Sequence, residues 1–425
     1  MIHELPNNSY YAASAGTFVP QPQLTGAMTA DVCVVGGGFT GLAAALACAE
    51  KGLDTVLIEG NRIANGASGR NGGQMIPGLN IYAHELVSLL GRDGAEALYR
   101  LAASARDRVH ARIDRHDIDC DLRHGHVHLA ARKNDMDDFA READFANALL
   151  GEGSAQLVAA SAVTDHVAVN GYHGALITPS GGHLHPMKYA FGLAHAALAA
   201  GVRLFEQSRA TTIADDAPSV VHTATGSVAA RHVLLACDSD TDSVDRTAGQ
   251  YTMPVLNYII ATEPLAAERA AALIPSGAAV SDSRFVLNYF RLSADNRMLF
   301  AGGEKYTRRP PADIAAFVRP FMLGLFPALA DAAIDFAWGG AVGITVNRLP
   351  QFGRRGKRLY AHGYSGQGVL LATLAGELMA DAITGDSAGF DRFAAIPHMP
   401  FPGGKLLRSP IYTAAMMYMA LRDRL

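Results

Sequence analysis

DVCVVGGGFTGLAAALACAEKGLDTVLIE, running from Asp31 to Glu59, is the stretch that decides how this chain is read. It predicts a strand, a glycine-rich turn, a helix, and a second strand that ends on an acid. Gly36, Gly38 and Gly41 fit the spacing G-x-G-x-x-G, and Glu59 stands where a ribose-binding acid is expected. Each glycine has a physical task. Gly36 permits the tight turn, Gly38 lets the backbone approach a pyrophosphate, and Gly41 lets the helix press on the sheet. The helix N-terminus then offers unpaired N–H groups and the positive end of its dipole to phosphates. Alone, such a glycine pattern is weak. Here it lies between the apolar run Val32–Val35 and an Ala-rich helix, with the acid in place, so the stretch is read as a dinucleotide-binding unit.

The rest of the composition suits a globular enzyme. At 425 residues the chain exceeds one simple core, and two domains are expected. Hydrophobic residues make up 49% and charged residues 18%, which excludes a disordered chain. The net charge is −4 with no basic run, so neither nucleic acid nor anionic lipid is an expected partner. Cys33, Cys48, Cys120 and Cys237 show no metal spacing. No apolar run reaches the length of a membrane span, and a reducing cytoplasmic setting is expected.

Beyond Glu59, the loop GNRIANGASGRNGGQ (Gly60 to Gln74) is too rich in Gly and Asn for a helix or central strand. Its place at the carboxyl end of a strand sets it beside the cofactor. Leu98, Leu101, Ala102, Ala105, Val109 and Ile113 recur at helical spacing, and a further helix is expected over Asp135 to Leu150. Between them lies a strand or short hairpin. There His124, His126 and His128 alternate, so all three are expected on one face, cleft-lining or solvated rather than metal-binding. Pro186 opens a helix to Ala200, and Arg231 to Cys237 reads as a buried parallel strand. VLNYIIATE, RFVLNYFRLS and RMLFAGG predict a second sheet, and a helix follows around Ala312 to Leu325. The chain then returns to the first unit. Strand Arg358–Ala361 leads into HGYSGQGV (His362 to Val369) and a helix, which brings a second glycine hinge and a second helix N-terminus to the cofactor. A reduced flavin, negative near N1 and C2=O, is stabilised by such a terminus.

This order of motifs, GGGFTG, Glu59, ASGRNGGQ and a late YSGQG, resembles the D-amino-acid oxidase-like superfamily of FAD enzymes. Within it, SYYAAS (Ser9 to Ser14), SGGHLHP (Ser180 to Pro186), RLSADNRMLFAGG (Arg291 to Gly303), LPQFGR (Leu349 to Arg354) and the tail PHMPFPGGKLLRSP (Pro397 to Pro410) are similar to gamma-glutamylputrescine oxidases. The resemblance implies an α/β fold with an α+β second domain: a Rossmann-like FAD-binding domain with a mixed-sheet substrate domain. Residues 25–85, 150–240 and 335–390 are assigned to the first, 86–149 and 241–334 to the second, and 391–425 to a tail packing on the body. It also implies site residues. Gly36, Gly38, Phe39, Thr40 and Gly41 would cradle the FAD pyrophosphate, with Glu59 on the adenosine ribose and Ala67 and Ser68 beside the phosphates. Asn71, Gly72, Gly73 and Gln74 would approach the flavin ring, and Ala210 would hold adenine through its backbone. Gly366, Gln367, Gly368 and Val369 would line the pyrimidine end, and Trp338-Gly339-Gly340 would pass close to the ring.

Some relatives attach flavin through a cysteine near the Trp-x-Gly segment. This chain has none between Trp338 and Gly368, so non-covalent FAD is expected. CDSDTDS (Cys237 to Ser243) and AVGITVN (Ala341 to Asn347) depart from the family pattern. The chemistry implied is hydride transfer from an amine α C–H to flavin N5. The imine formed hydrolyses to an aldehyde, and oxygen or another acceptor takes the electrons, giving hydrogen peroxide from oxygen. The expected substrate is gamma-glutamylputrescine or a similar gamma-glutamyl amine. The alternatives are a small secondary or D-amino acid of the sarcosine, glycine or iminodiacid type, and a non-catalytic flavin-binding subunit. Arg291 is the candidate for a substrate carboxylate, against a salt bridge at a sheet edge; Tyr289 points to the same face, as hydrogen-bond donor or core-rim aromatic. No dedicated base is identified.

Overall fold

Val32 to Val35 carry no polar side chain because both faces of their strand are covered. Val32 and Val34 join Leu57 and Leu234 on the side packed by helices, while Cys33 and Val35 join Val56, Ile58, Val233 and Leu235 on the other. A strand buried on both faces belongs inside a parallel sheet. The computed structural model, which describes residues 8–215, 217–305, 310–402, 410, 413 and 414, places it there. Strand Gly26–Val35 pairs in parallel with Thr55–Ile58 on one side and Gly226–Leu235 on the other. The sheet runs 351–355, 358–362, 226–235, 26–35, 55–58, 203–205, with the hairpin of Thr212–Ala214 and Ser219–His222 joined to Gly226–Leu235.

The helices over this sheet approach closely because their contact positions are small. Helix Phe39–Glu50 packs against Gly368–Ile383 and Pro186–Ala199. A Cβ on Gly376 would lie 2.4 Å from the Thr40 carbonyl oxygen, and one on Gly41 would lie 1.8 Å from that of Gly36. An ion cluster ties in helix Ala105–Arg115: buried Arg112 donates to Glu377 at 2.8 Å and to Glu50 at 2.5 Å. Among the described residues no single helix is long and apolar enough to cross a membrane, and the apolar Gly368–Ile383 helix is core.

The second sheet has nine strands, in the order 334–344, 253–262, 298–305, 289–292, 279–282, 123–129, 174–183, 74–75, with 156–159 beside 174–183. Its faces differ by strand alternation. Val127, Val280, Phe290 and Phe300 face an apolar core closed by helix Ile314–Leu325. Their neighbours His126, His128, Ser281, Tyr289 and Arg291 face the other way, toward the nucleotide sheet. Strands 74–75, 156–159, 174–183 and 334–344 pair here, although the sequence reading grouped them with the nucleotide unit.

Three local readings need correction. The strand expected over RFVLNYFRLS begins only at Tyr289. The preceding residues bend because Asp282 accepts backbone N–H bonds from Arg284 (3.3 Å) and Asn288 (3.0 Å). The three histidines do not share a face. The pairing shifts register between His124 and His126, where Gly125 takes φ +94°. His124 turns out to stack on His110, while His126 and His128 stay together. The parallel strand read from Arg231 starts earlier, at Gly226. At the chain start, SYYAAS forms helix Tyr10–Ser14, capped by Ser9. Of the expected tail, residues 403–409, 411–412 and 415–425 lie outside the described residues; Phe401 donates its N–H to the Gln250 carbonyl at 3.0 Å.

Candidate active site

Where the two glycine hinges meet, the first turn of helix Phe39–Glu50 touches the late segment directly. Thr40 Oγ1 and the Tyr364 hydroxyl are 2.7 Å apart. Beside this contact lies a cavity of about 970 Å³. Gly38, Phe39, Thr40, Ala67, Ser68, Asn71, Gly72, Gln74, Gly340, Gly366, Gln367, Gly368 and Val369 all line it, as does Tyr289. A smaller cavity of about 130 Å³ is lined by Gly36, Gly38, Glu59, Ala67, Ser68, Arg209 and Ala210. Gly38, Ala67, Ser68, Ala236 and Asp238 line both, so the two form one bent channel.

The channel walls are fixed from behind. The loop before Gln74 is tied by its own side chains. Asn71 Nδ2 donates to the carbonyls of Ala67 (3.0 Å) and Ser68 (2.9 Å), and its Oδ1 accepts from Gly73 N at 2.7 Å. Arg70 donates to the carbonyls of Asn65 (2.7 Å) and Gly339 (3.1 Å), and Trp338 Nε1 donates back to the Arg70 carbonyl at 3.0 Å. Gln74 is held by the carbonyl of Val280 at 2.9 Å. Asp238, in the divergent CDSDTDS stretch, clamps the far wall by accepting from Gly363 N (2.9 Å) and Gly343 N (3.1 Å). Desolvation pushes its carboxyl up, and those two N–H bonds oppose the shift.

The floor comes from the second sheet. Tyr289 stands in register with Ser281, and Ser281 with His128. The Tyr289 hydroxyl donates to Asn257 Oδ1 at 2.6 Å. Ser281 Oγ lies 3.0 Å from His126 Nε2 and 2.8 Å from His128 Nδ1. One hydroxyl has one proton, so the serine donates to one ring and accepts from the other. Burial, and then the neighbouring His128, hold His126 down at about 3, and burial lowers His128 as well. At neutral pH both rings are therefore uncharged.

Gly41, Gly73, Arg291, Trp338 and Gly339 of the sequence reading lie off the channel surface. Gly41 and Gly73 sit behind it, where a Cβ would strike the carbonyl oxygens of Gly36 and Leu184 at 1.8 and 2.1 Å. Arg291 is the substantive correction. It does share the face of Tyr289, but the Gly72–Gly73 loop covers it, and it is only 4% exposed. Its guanidinium donates to the carbonyls of Gly72 (2.6 Å), Leu184 (3.0 Å) and Leu292 (3.2 Å) and to the Tyr11 hydroxyl (3.2 Å). Such a group has no donor facing the cavity and does not hold a substrate carboxylate; nor does it form the sheet-edge salt bridge considered for it. The cavity does present Arg348 and Phe285, which sequence reasoning passed over: Arg348 belongs to no periodic element or motif, and Phe285 was read only as part of an expected strand.

The channel suits an elongated dinucleotide. Glu59 lines the smaller cavity, and its carboxylate is set there by two backbone bonds: Oε2 accepts from Gly37 N at 2.6 Å and Oε1 from Asn61 N at 2.7 Å. Gly38, Phe39, Gln367 and Gly368 line the large cavity, so both helix N-termini border it; neither N-cap residue caps its helix through a side chain, while Ser68 Oγ accepts from Phe39 N at 2.9 Å. Gln367 Oε1 is buried with no protein partner, an acceptor that an N–H or O–H donor of a bound flavin nucleotide would satisfy.

Comparison with known proteins agrees. Residues 31–382 match the family model described as DAO, FAD dependent oxidoreductase. The chain is similar to gamma-glutamylputrescine oxidoreductase of Escherichia coli (strain K12), 41% identical over 423 residues and covering 98% of each chain. It is also similar to the probable oxidoreductase OrdL of Haemophilus influenzae, 36% identical and covering 98% of this chain and 97% of that one. Among solved structures, glycine oxidase from Geobacillus kaustophilus superposes with a TM-score of 0.72 at 24% identity, over 87% of this chain and 99% of that one. With a family match that runs from the first nucleotide-sheet strand through the late glycine-hinge helix, the chain belongs to the DAO family of FAD-dependent oxidoreductases.

Proposed function

We propose that the protein oxidises the terminal amine of gamma-glutamylputrescine, or of a closely similar gamma-glutamyl amine, to an aldehyde with release of ammonia. The observation that carries this reading is the 41% identity to the Escherichia coli enzyme over 98% of both chains. The channel supports it, since the large cavity extends well beyond the residues assigned to FAD. Gly36, Gly38, Phe39, Thr40, Gly41, Glu59, Ala67, Ser68 and Ala210 take the adenosine and phosphate end in this proposal. Asn71, Gly72, Gly73, Gln74, Gly340, Gly366, Gln367, Gly368 and Val369 take the flavin ring end. No cysteine lines the large cavity among the described residues, which supports non-covalent attachment.

Bound FAD supplies the hydride acceptor and passes the electrons to oxygen or another acceptor. The chain's own residues do the rest. The tied loop 67–74 and the Asp238 clamp fix the walls, so the amine carbon is held rather than free to turn. Tyr289 and Gln74 bound the space over the second sheet. The largely apolar lining of the cavity disfavours an ammonium ion and so favours the free amine, whose lone pair assists hydride loss. His126 and His128 are uncharged there and do not repel an amine. The four thiols are unpaired, and we place the reaction in the cytoplasm.

The test is anaerobic mixing of the yellow protein with gamma-glutamylputrescine, putrescine, sarcosine, glycine and D-alanine. The proposal expects gamma-glutamylputrescine to bleach the flavin fastest. Faster bleaching by sarcosine, glycine or D-alanine would move the protein to small amino acid oxidation. No bleaching by any of them would favour a non-catalytic flavin subunit.

A further inference from the structure

We propose that Arg348, seated over the ring of Phe285, binds the α-carboxylate of the gamma-glutamyl group and gives the enzyme its preference for a carboxylate-bearing amine over one that lacks the carboxylate. This deepens the function proposed above and rests on it.

Three observations carry the inference. First, Arg291 has no free donor, as shown above, so the carboxylate needs another cation. Arg70, Arg132 and Arg284 also line the cavity but are committed: Arg70 to backbone carbonyls, Arg284 to Asp282 and the Tyr172 hydroxyl, while Arg132 is exposed and has a partner of its own. Arg348 lines the same cavity and forms no ion pair among the described residues. Its guanidinium carbon stands 4.6 Å from the centroid of Phe285. Stacking on a ring leaves the edge of the guanidinium, with its forked donors, open to a carboxylate.

Second, both supports of this pair are rigid. Thr345 fixes the turn that carries Arg348, because its hydroxyl donates to the Leu349 carbonyl at 2.7 Å and its N–H to Ser365 Oγ at 3.2 Å. Asn347 Oδ1 accepts from Leu349 N at 3.2 Å. Phe285 lies on the loop pinned by Asp282. A pre-set site loses less entropy on binding than a free surface arginine.

Third, Arg348 holds φ +61°, a conformation that favours glycine. A long charged side chain kept where glycine would be relaxed indicates a use for that side chain. The span also fits. From the oxidised carbon to the α-carboxylate of gamma-glutamylputrescine is roughly 11 Å when extended, about three residues' worth of backbone bonds. Strand residues Gly340 to Ile344, leading from the proposed ring end toward Arg348, cover roughly 13 Å.

The experiment compares gamma-glutamylputrescine with 4-aminobutanoylputrescine, the same molecule without its α-carboxylate, on flavin-loaded wild type, Arg348→Gln, Arg348→Lys and Arg348→Gly. For gamma-glutamylputrescine, Arg348→Gln should raise KM about ten- to a hundredfold with kcat little changed, the size of a lost charge-assisted contact. Arg348→Lys should recover part of the loss, and KM for 4-aminobutanoylputrescine should stay within about twofold, well under one tenfold step in affinity. Arg348→Gly relieves the backbone and should keep or raise the melting temperature while losing the same selectivity. Equal KM changes for both substrates, or none for either, would overturn the role of Arg348. So would a fall in both melting temperature and activity in Arg348→Gly. A wild type that ignores gamma-glutamylputrescine would instead overturn the proposed function, and Arg348 with it.

Discussion

Replacing Arg291 with alanine should cost stability rather than substrate affinity. Its guanidinium serves the Gly72, Leu184 and Leu292 carbonyls and the Tyr11 hydroxyl at 2.6 to 3.2 Å. Hydrogen bonds from a charged donor contribute about 1.5–3 kcal/mol each, and a buried carbonyl left without a partner costs about 1–3 kcal/mol. The buried cation has no carboxylate partner among the described residues, so its own desolvation offsets part of this. Counting only the two firmest bonds, to Gly72 and Leu184, gives a loss of about 3–6 kcal/mol before that offset. The Gly72–Gly73 loop rests on those bonds, so FAD should also bind more weakly. Arg291→Met, which keeps much of the volume, should lose the bonds but less of the packing. Denaturant titration, FAD titration and steady-state kinetics on the reloaded enzyme separate the outcomes. An Arg291→Ala protein with unchanged midpoint and FAD affinity, but a raised KM for carboxylate-bearing amines alone, would refute this reasoning.

Arg112→Met leaves Glu377 with Arg108, at 2.7 Å, as its remaining ion partner among the described residues, and should lower the unfolding free energy by about 1–3 kcal/mol in urea; an unchanged midpoint would contradict the buried pairing. Gly376→Val pushes a side chain toward the Thr40 carbonyl, now 2.4 Å from the position a Cβ would take, so it should part the two helices, break the Thr40–Tyr364 contact and weaken FAD binding by about 1–3 kcal/mol; unchanged FAD affinity would refute it. Burial holds His126, His185 and His362 down at about 3, so they stay neutral in the fold while the unfolded chain takes up protons below about 6.5. Their contribution is therefore whole above pH 6.5 and falls as pH drops toward 3, by about 1.4 kcal/mol per pH unit for each; a denaturation midpoint that stays flat from pH 6.5 to 5 would contradict it.

What the sequence disclosed and what it concealed divide along physical lines. The nucleotide unit was legible because its requirements are local: a glycine where a Cβ would strike Ala236 or Gly36, and an apolar run where a strand is covered on both faces. The role of Arg291 was not legible. Alternation rightly sets it on the face of Tyr289, but only the fold lays the Gly72–Gly73 loop over it. The histidine row failed at one residue, since the bulge at Gly125 turns His124 away, and periodicity cannot announce a bulge. The strand expected from Arg284 was bent by Asp282, a contact between side chain and backbone that no propensity records. Arg348 sits in a turn with no pattern around it. Its positive φ, which marks it out, is a property of the backbone alone.

The central claim is that one FAD spans the channel from Glu59 to Gln367, gripped at both ends by hinges more than three hundred residues apart in the chain. Titrating the flavin-stripped protein with FAD and, in parallel, with FMN tests it most directly, because FMN lacks the adenosine end. The account predicts one FAD bound per chain and at least about a hundredfold weaker FMN, the loss of roughly 3 kcal/mol of adenosine-end contacts. FMN binding as tightly as FAD, or no binding of either, would contradict it.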